Sequence, residues 1–152
     1  DAWGPLPVGD GAADLVLSVF APRNGAELGR ILAPDGVLVV VTPTPDHLRE
    51  LVRVLGMVTV DPDKPARLEA QLEPYLEAVS AAPVEFAITL DHADLRAVVG
   101  MGPSAHHVGR AALADRISSL PATVSVTVGV TVQTFGRRQA SSSSRLPHGS
   151  SA

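Results

Sequence analysis

The sequence predicts an α/β fold whose sheet is mostly parallel, with one antiparallel edge strand. Three observations carry this. Two apolar runs, Leu15–Phe20 and Val37–Val41, are short, rich in valine and leucine and bounded by turn formers, as fits strands covered on both faces. The stretch "TVSVTVGVTVQTF", 123–135, places valine at 124, 126, 128, 130 and 132 with Thr, Ser or Gly between, so it reads as a strand with one apolar and one semi-polar face. Between the two apolar runs lies one helical stretch, which makes a βαβ unit with a right-handed crossover.

In chain order, Asn24 is placed to cap that first helix, and Leu28, Ile31 and Leu32 form its apolar stripe. Pro34-Asp35-Gly36 supplies a stop before the second strand. Asp46 is the expected cap of the next helix, which runs through Leu48, Leu51, Val52 and Leu55 to Gly56. A third helix carries Leu68 and Leu72, with Pro65 near its start and Pro74 beyond its end. Two extended stretches follow, Leu76–Ala81 and Val84–Leu90. Asp91 or Asp94 can cap a short helix ending at Gly100, and Ser104 can cap another reaching about Ser119. The 123–135 strand suits the antiparallel edge. Residues 137–152, with four consecutive serines and few large apolar side chains, read as a disordered tail.

Composition narrows the function. The 152 residues suffice for one core, and with 45% hydrophobic but 3% aromatic content that core must be aliphatic. A formal net charge of -4 gives no global attraction for phosphate, so any nucleic-acid contact must be local or come from another segment. The absence of cysteine excludes disulfides, thiolate metal sites and cysteine nucleophiles within these residues. No apolar run approaches the roughly 20 residues that cross a bilayer. The reading is a cytoplasmic protein without membrane association, and the opening at Asp1 looks like the middle of a domain.

"LPVGDGAADLVLSVFAPR" resembles the loop that leads into the fourth strand of class I S-adenosylmethionine-dependent methyltransferases, a Rossmann-like fold. "FAPRNGAELGRILAPDGVLVVVTPTPDHLREL" and "MGPSA" at 101–105 are more particular. They resemble the 23S ribosomal RNA guanine-N1 methyltransferases, the group that includes tylosin-type macrolide resistance enzymes. The resemblance spans about Asp1 to Phe135. It implies that 1–136 is the carboxyl-terminal part of the catalytic domain, with its amino-terminal half, glycine-rich cofactor loop and cysteine-built zinc ribbon upstream. It also implies S-adenosylmethionine as cofactor, zinc only in that upstream region, and 23S rRNA as partner, while leaving room for a homodimer. A sheet without its first strands would expose apolar faces and invite association.

Methyl transfer from a sulfonium mainly needs alignment and exclusion of water. The expected site is therefore a pocket at the carboxyl ends of the two parallel strands, holding few polar groups. Phe20, Pro22 and Arg23 leave the first strand there and are substrate-side candidates. Pro22 fixes a turn, and Arg23 is either a phosphate or base contact or a plain surface arginine. Thr42-Pro43-Thr44-Pro45 leaves the second strand at the same edge and stiffens the approach to His47. A histidine in a first helical turn is kept neutral by the helix dipole. By resemblance, His47 lies at the cofactor, Asp1 accepts from the adenine amino group, and Met101 and Pro103 wall the substrate pocket. No general base is assigned. His106 and His107, adjacent on a helix, would point about 100° apart and make a poor metal pair. Trp3 and Tyr75 could stack on a base but are as readily packing residues, and Arg137-Arg138 reads as a solvated strand end. Two readings compete with the RNA enzyme: a methyltransferase acting on a small metabolite, and an inactive truncated half-domain.

Overall fold

The computed structural model describes residues 4–55, 64–101 and 110–138. In chain order these form β1 (Ala13–Val19), α1 (Gly25–Ile31), β2 (Leu32–Pro43), α2 (Arg49–Leu55), α3 (Lys64–Leu72), β3 (Leu76–Asp91), α4 (His92–Met101), α5 (Arg110–Ser118) and β4 (Thr123–Arg137). The four strands make one sheet in the order β1-β2-β4-β3. β1 and β2 are parallel, whereas β4 runs antiparallel to both β2 and β3.

Two apolar clusters hold the helices to the sheet. Leu28 of α1 and Leu72 of α3 pack over Leu38, Val40 and Phe135. Leu51 and Leu55 of α2, Leu95 and Val99 of α4, and Leu113 and Ile117 of α5 pack over Leu90 and Val126. Val126 and Phe135 differ in parity along one strand, so the two clusters occupy opposite faces of the sheet. α1 starts as its sequence dictates, with the Asn24 side chain accepting from the Glu27 N–H at 3.3 Å. α4 is capped by Asp91, whose Oδ1 accepts from Ala93 and Asp94 N–H at 2.7 and 2.9 Å.

Several expectations need correction. The 123–135 strand is antiparallel but lies inside the sheet, and β3 takes the edge. The semi-polar face of β4 is not a solvent face: Thr127 and Gln133 are buried and hydrogen-bonded to Glu50 and Glu69 respectively. β3 is one strand of sixteen residues, not two, and Pro83 sits inside it because an edge strand has one row of N–H groups without a ladder partner. Pro34-Asp35-Gly36 does not precede β2 but lies within it. β1 advances from Ala13 to Leu15 while its partners advance from Leu32 to Val37, so this stretch is an irregular bulge in the pairing. β4 continues through Arg137, which shortens the expected tail by a residue, and Arg138 donates to the Glu73 carbonyl at 2.7 Å. Residues 139–152, like Gly56, Ser104, His106 and His107, lie outside the described residues, and so does the expected tail beyond Arg138.

Candidate functional site

Because β1 and β2 are parallel neighbours, their outgoing loops emerge at one rim of the sheet. The two loops touch there. The Phe20 ring meets the His47 ring edge to face, with centroids 5.4 Å apart and planes at 65°. Phe20 also extends the pairing with β2 by one bond, its N–H reaching the Val41 carbonyl at 3.1 Å. Its φ of 51° is left-handed, and Leu48, just after His47, has φ 57°. Such conformations cost a non-glycine residue about 1–2 kcal/mol and persist only where surrounding contacts impose them.

For the second loop those contacts come from β4. The β2–β4 ladder ends at Pro43 and Val130. Beyond it the chain turns, but bonds to β4 continue: the Thr44 N–H reaches the Gly129 carbonyl at 3.0 Å and the Leu48 N–H reaches Thr127 at 2.8 Å. Glu50 then completes the run. Its carboxylate accepts from the Thr127 N–H at 2.9 Å and the Thr127 hydroxyl at 2.7 Å. Burial alone would raise the Glu50 pKa, but these Thr127 donors outweigh it and hold the group down to about 2. Gly129 makes room for this turn, since a Cβ there would lie 2.5 Å from Thr44 Oγ1.

His47 is thus held between Phe20 and β4. It does not lie in a helix: the turn places it two residues before α2, and Asp46 does not cap that helix, which begins at Arg49. Left-handed Leu48 breaks helical geometry at the expected first turn. The ring is kept neutral all the same, by another cause. Burial disfavours its cation and lowers its pKa, and the Gly129 carbonyl offsets part of the shift by proximity, without a hydrogen bond of regular geometry. Its Nδ1 is buried without a hydrogen-bond partner among the described residues, and so is the Oγ of Ser18 on β1.

No protein-family model matches the chain. It is 50% identical over 131 residues to a Streptomyces fradiae protein named 23S rRNA (guanine(748)-N(1))-methyltransferase, covering 86% of this chain and 47% of that protein. The chain is a relative of the 23S rRNA guanine-N1 methyltransferases. A Micromonospora griseorubida protein whose name carries the same activity provisionally is 44% identical over 130 residues, again 86% of this chain but 44% of that protein. The chain therefore spans about half the length of the curated relatives it matches. Its fold agrees: a crystal structure of a provisionally described methyltransferase from Bacillus halodurans superposes with a TM-score of 0.51 at 15% identity, over 90% of this chain and 68% of the other.

Within this methyltransferase relative, the structure brings together Phe20 and His47 and sets Arg23 three residues beyond Phe20. Pro22 is exposed in the same loop. Arg23 is not a surface arginine: it is 4% exposed, and burial pushes its pKa below the ordinary value. Met101 ends α4 at 82% exposure, so the described residues build no wall with it. Asp1, Trp3 and Pro103 lie outside the described residues. Among those described, no group of three His, Cys, Asp or Glu residues could hold a metal ion, and no helix is long and apolar enough to cross a membrane. Sequence reasoning missed Glu50, Thr127 and Gly129. A lone glycine interrupting the Thr/Ser register of a valine-alternating strand was the available signal for close backbone approach.

Proposed function

We propose that residues 1–136 are the carboxyl-terminal part of the catalytic domain of an enzyme that methylates N1 of a guanine in 23S rRNA, using S-adenosylmethionine. The observation that carries this reading is the meeting of two parallel-strand exits at one rim, with a neutral, half-buried His47 whose Nδ1 is buried and lacks a partner among the described residues. Such a ring can donate to or accept from a bound polar group without adding charge, and it fits a cofactor whose reactive sulfur is already cationic. S-adenosylmethionine supplies the electrophilic methyl. The chain's own residues bind and orient: His47 satisfies its free nitrogen on the cofactor, Phe20 shields the rim from water, and Pro22 shapes the substrate side. The resemblance adds Asp1, Met101 and Pro103 to these candidates. Zinc belongs to the region upstream of these residues in this reading.

Calorimetric titration of S-adenosylmethionine tests it, on this chain and on a fusion of this chain to the amino-terminal half of the Streptomyces fradiae relative. Binding to the fusion, weakened about tenfold or more by His47→Ala, together with N1-methylguanine in treated 23S rRNA, is the expected result. Absence of binding in both would sink the assignment.

A further inference from the structure

Arg23 is the only charged side chain in the buried class among the described residues, at 4% exposure. Among those residues its Nε has no hydrogen-bond partner and no carboxylate forms an ion pair with it. The contrast with Arg30 on the same segment is sharp. Arg30 is held by Glu27 and Asp10 and by the carbonyls of Leu6 and Val8. A guanidinium stays protonated in proteins, so burial without a counter-charge is a standing cost that a bound anion would relieve.

Arg23 lines a cleft of about 430 Å³ between the start of α1 and the end of α3. Asn24 and Gly25 form one side, and Gln71, Pro74 and Tyr75 the other; no acidic residue lines it among the described residues. The cleft is built by close packing, because a Cβ on Gly25 would run into the Gln71 carbonyl and approach the Tyr75 ring at 3.0 Å. Tyr75 keeps 47% of its surface exposed at the mouth.

The geometry points to an oxyanion subsite in this cleft, where the Arg23 guanidinium takes one phosphate of a polynucleotide and Tyr75 offers its ring to the adjoining base. This deepens the RNA-methylating reading and rests on it. The planar guanidinium fork matches two phosphate oxygens, and an exposed tyrosine is a suitable platform for an unstacked base. A chain of net charge -4 has no diffuse attraction for RNA, so a local anchor of this kind supplies what its overall charge does not.

The test follows the Arg23 Nε–H resonance of the 152-residue chain by nuclear magnetic resonance. Inorganic phosphate, sulfate, guanosine and a short single-stranded RNA are titrated in turn. Phosphate and RNA should move the resonance and guanosine should not, with RNA acting at a concentration about tenfold or more below phosphate; Arg23→Gln should weaken RNA binding by about tenfold. In anion-free buffer Arg23→Met should raise the melting temperature, because it removes an unpaired buried cation. An unmoved resonance, or a melting temperature lowered by Arg23→Met, would mean the cation is already answered within the protein and would overturn the subsite. Equal response to phosphate and RNA would mark an adventitious ion only, and overturns it too. S-adenosylmethionine titrated into the unsubstituted fusion separates the cases, since failure there strikes the methyltransferase reading and leaves the Arg23 measurements standing.

Discussion

Glu50 extends a β-ladder with a side chain. Where β2 stops pairing, its carboxylate replaces the next backbone acceptor for Thr127 and pins α2 to β4. Removing it by Glu50→Ala should lower unfolding free energy by about 1–3 kcal/mol in urea, since the N–H of buried Thr127 loses a charged partner. The pH dependence has a definite sign. Glu50 titrates near 2 when folded and near 4.5 otherwise, so its contribution is complete above about pH 4.5 and is lost as pH falls toward 2. Glu50→Gln should flatten that acid limb in melting curves; an unchanged limb would show that the carboxylate is not held by Thr127 in solution. Sequence could place Glu50 on a helix but could not pair it with a residue 77 positions away. The turn that carries His47 to the rim was legible for the opposite reason, because the prolines that frame it are local. The cause of the histidine's neutrality was not, since burial depends on what Phe20 and β4 bring to it.

At the scale of elements, α1 and α3 meet through glycine. Gly25 and Gly29 lie one turn apart and give Gln71 and Tyr75 their close approach; ideal Cβ atoms would lie 3.0 Å and 3.1 Å from Tyr75 at these two positions. Gly25→Ala gains helix propensity yet would press against α3 backbone, which cannot move as a side-chain tip can. The net effect should be destabilisation of about 1–3 kcal/mol, measured by urea unfolding, with Ala26→Gly as the control that changes propensity on an exposed position of the same helix. A stabilised Gly25→Ala would mean that α3 is not docked as described. The elements themselves were largely readable: β1, α1 and the alternating β4 fall where periodicity puts them. Errors came where tertiary contacts decide. Pro34 and Gly36 look like a stop, but the neighbouring β1 draws them into an irregular strand. Pro83 looks like a break, but an edge position tolerates it.

At the scale of the whole molecule, the sheet is covered unevenly. On the face opposite α1 and α3, Leu15 and Leu17 are 66% and 65% exposed, and Val19 and Val37 beside them are exposed as well. β1 is also the outer strand, with one edge unpaired among the described residues. The α/β class and the pair of parallel strands were readable because uninterrupted apolar runs announce burial on both faces; here that burial is met on one face only, and the sequence carries the demand for the other. A contiguous apolar strip of this kind binds hydrophobic dyes and promotes association. Leu15→Thr with Leu17→Thr should reduce dye fluorescence by about half or more and shift sedimentation toward monomer. Threonine keeps strand propensity and these side chains are mostly in water, so the melting temperature should change by no more than about 2 °C. If the double variant instead unfolds, the two leucines are buried in solution and the exposed face must be covered by this same chain.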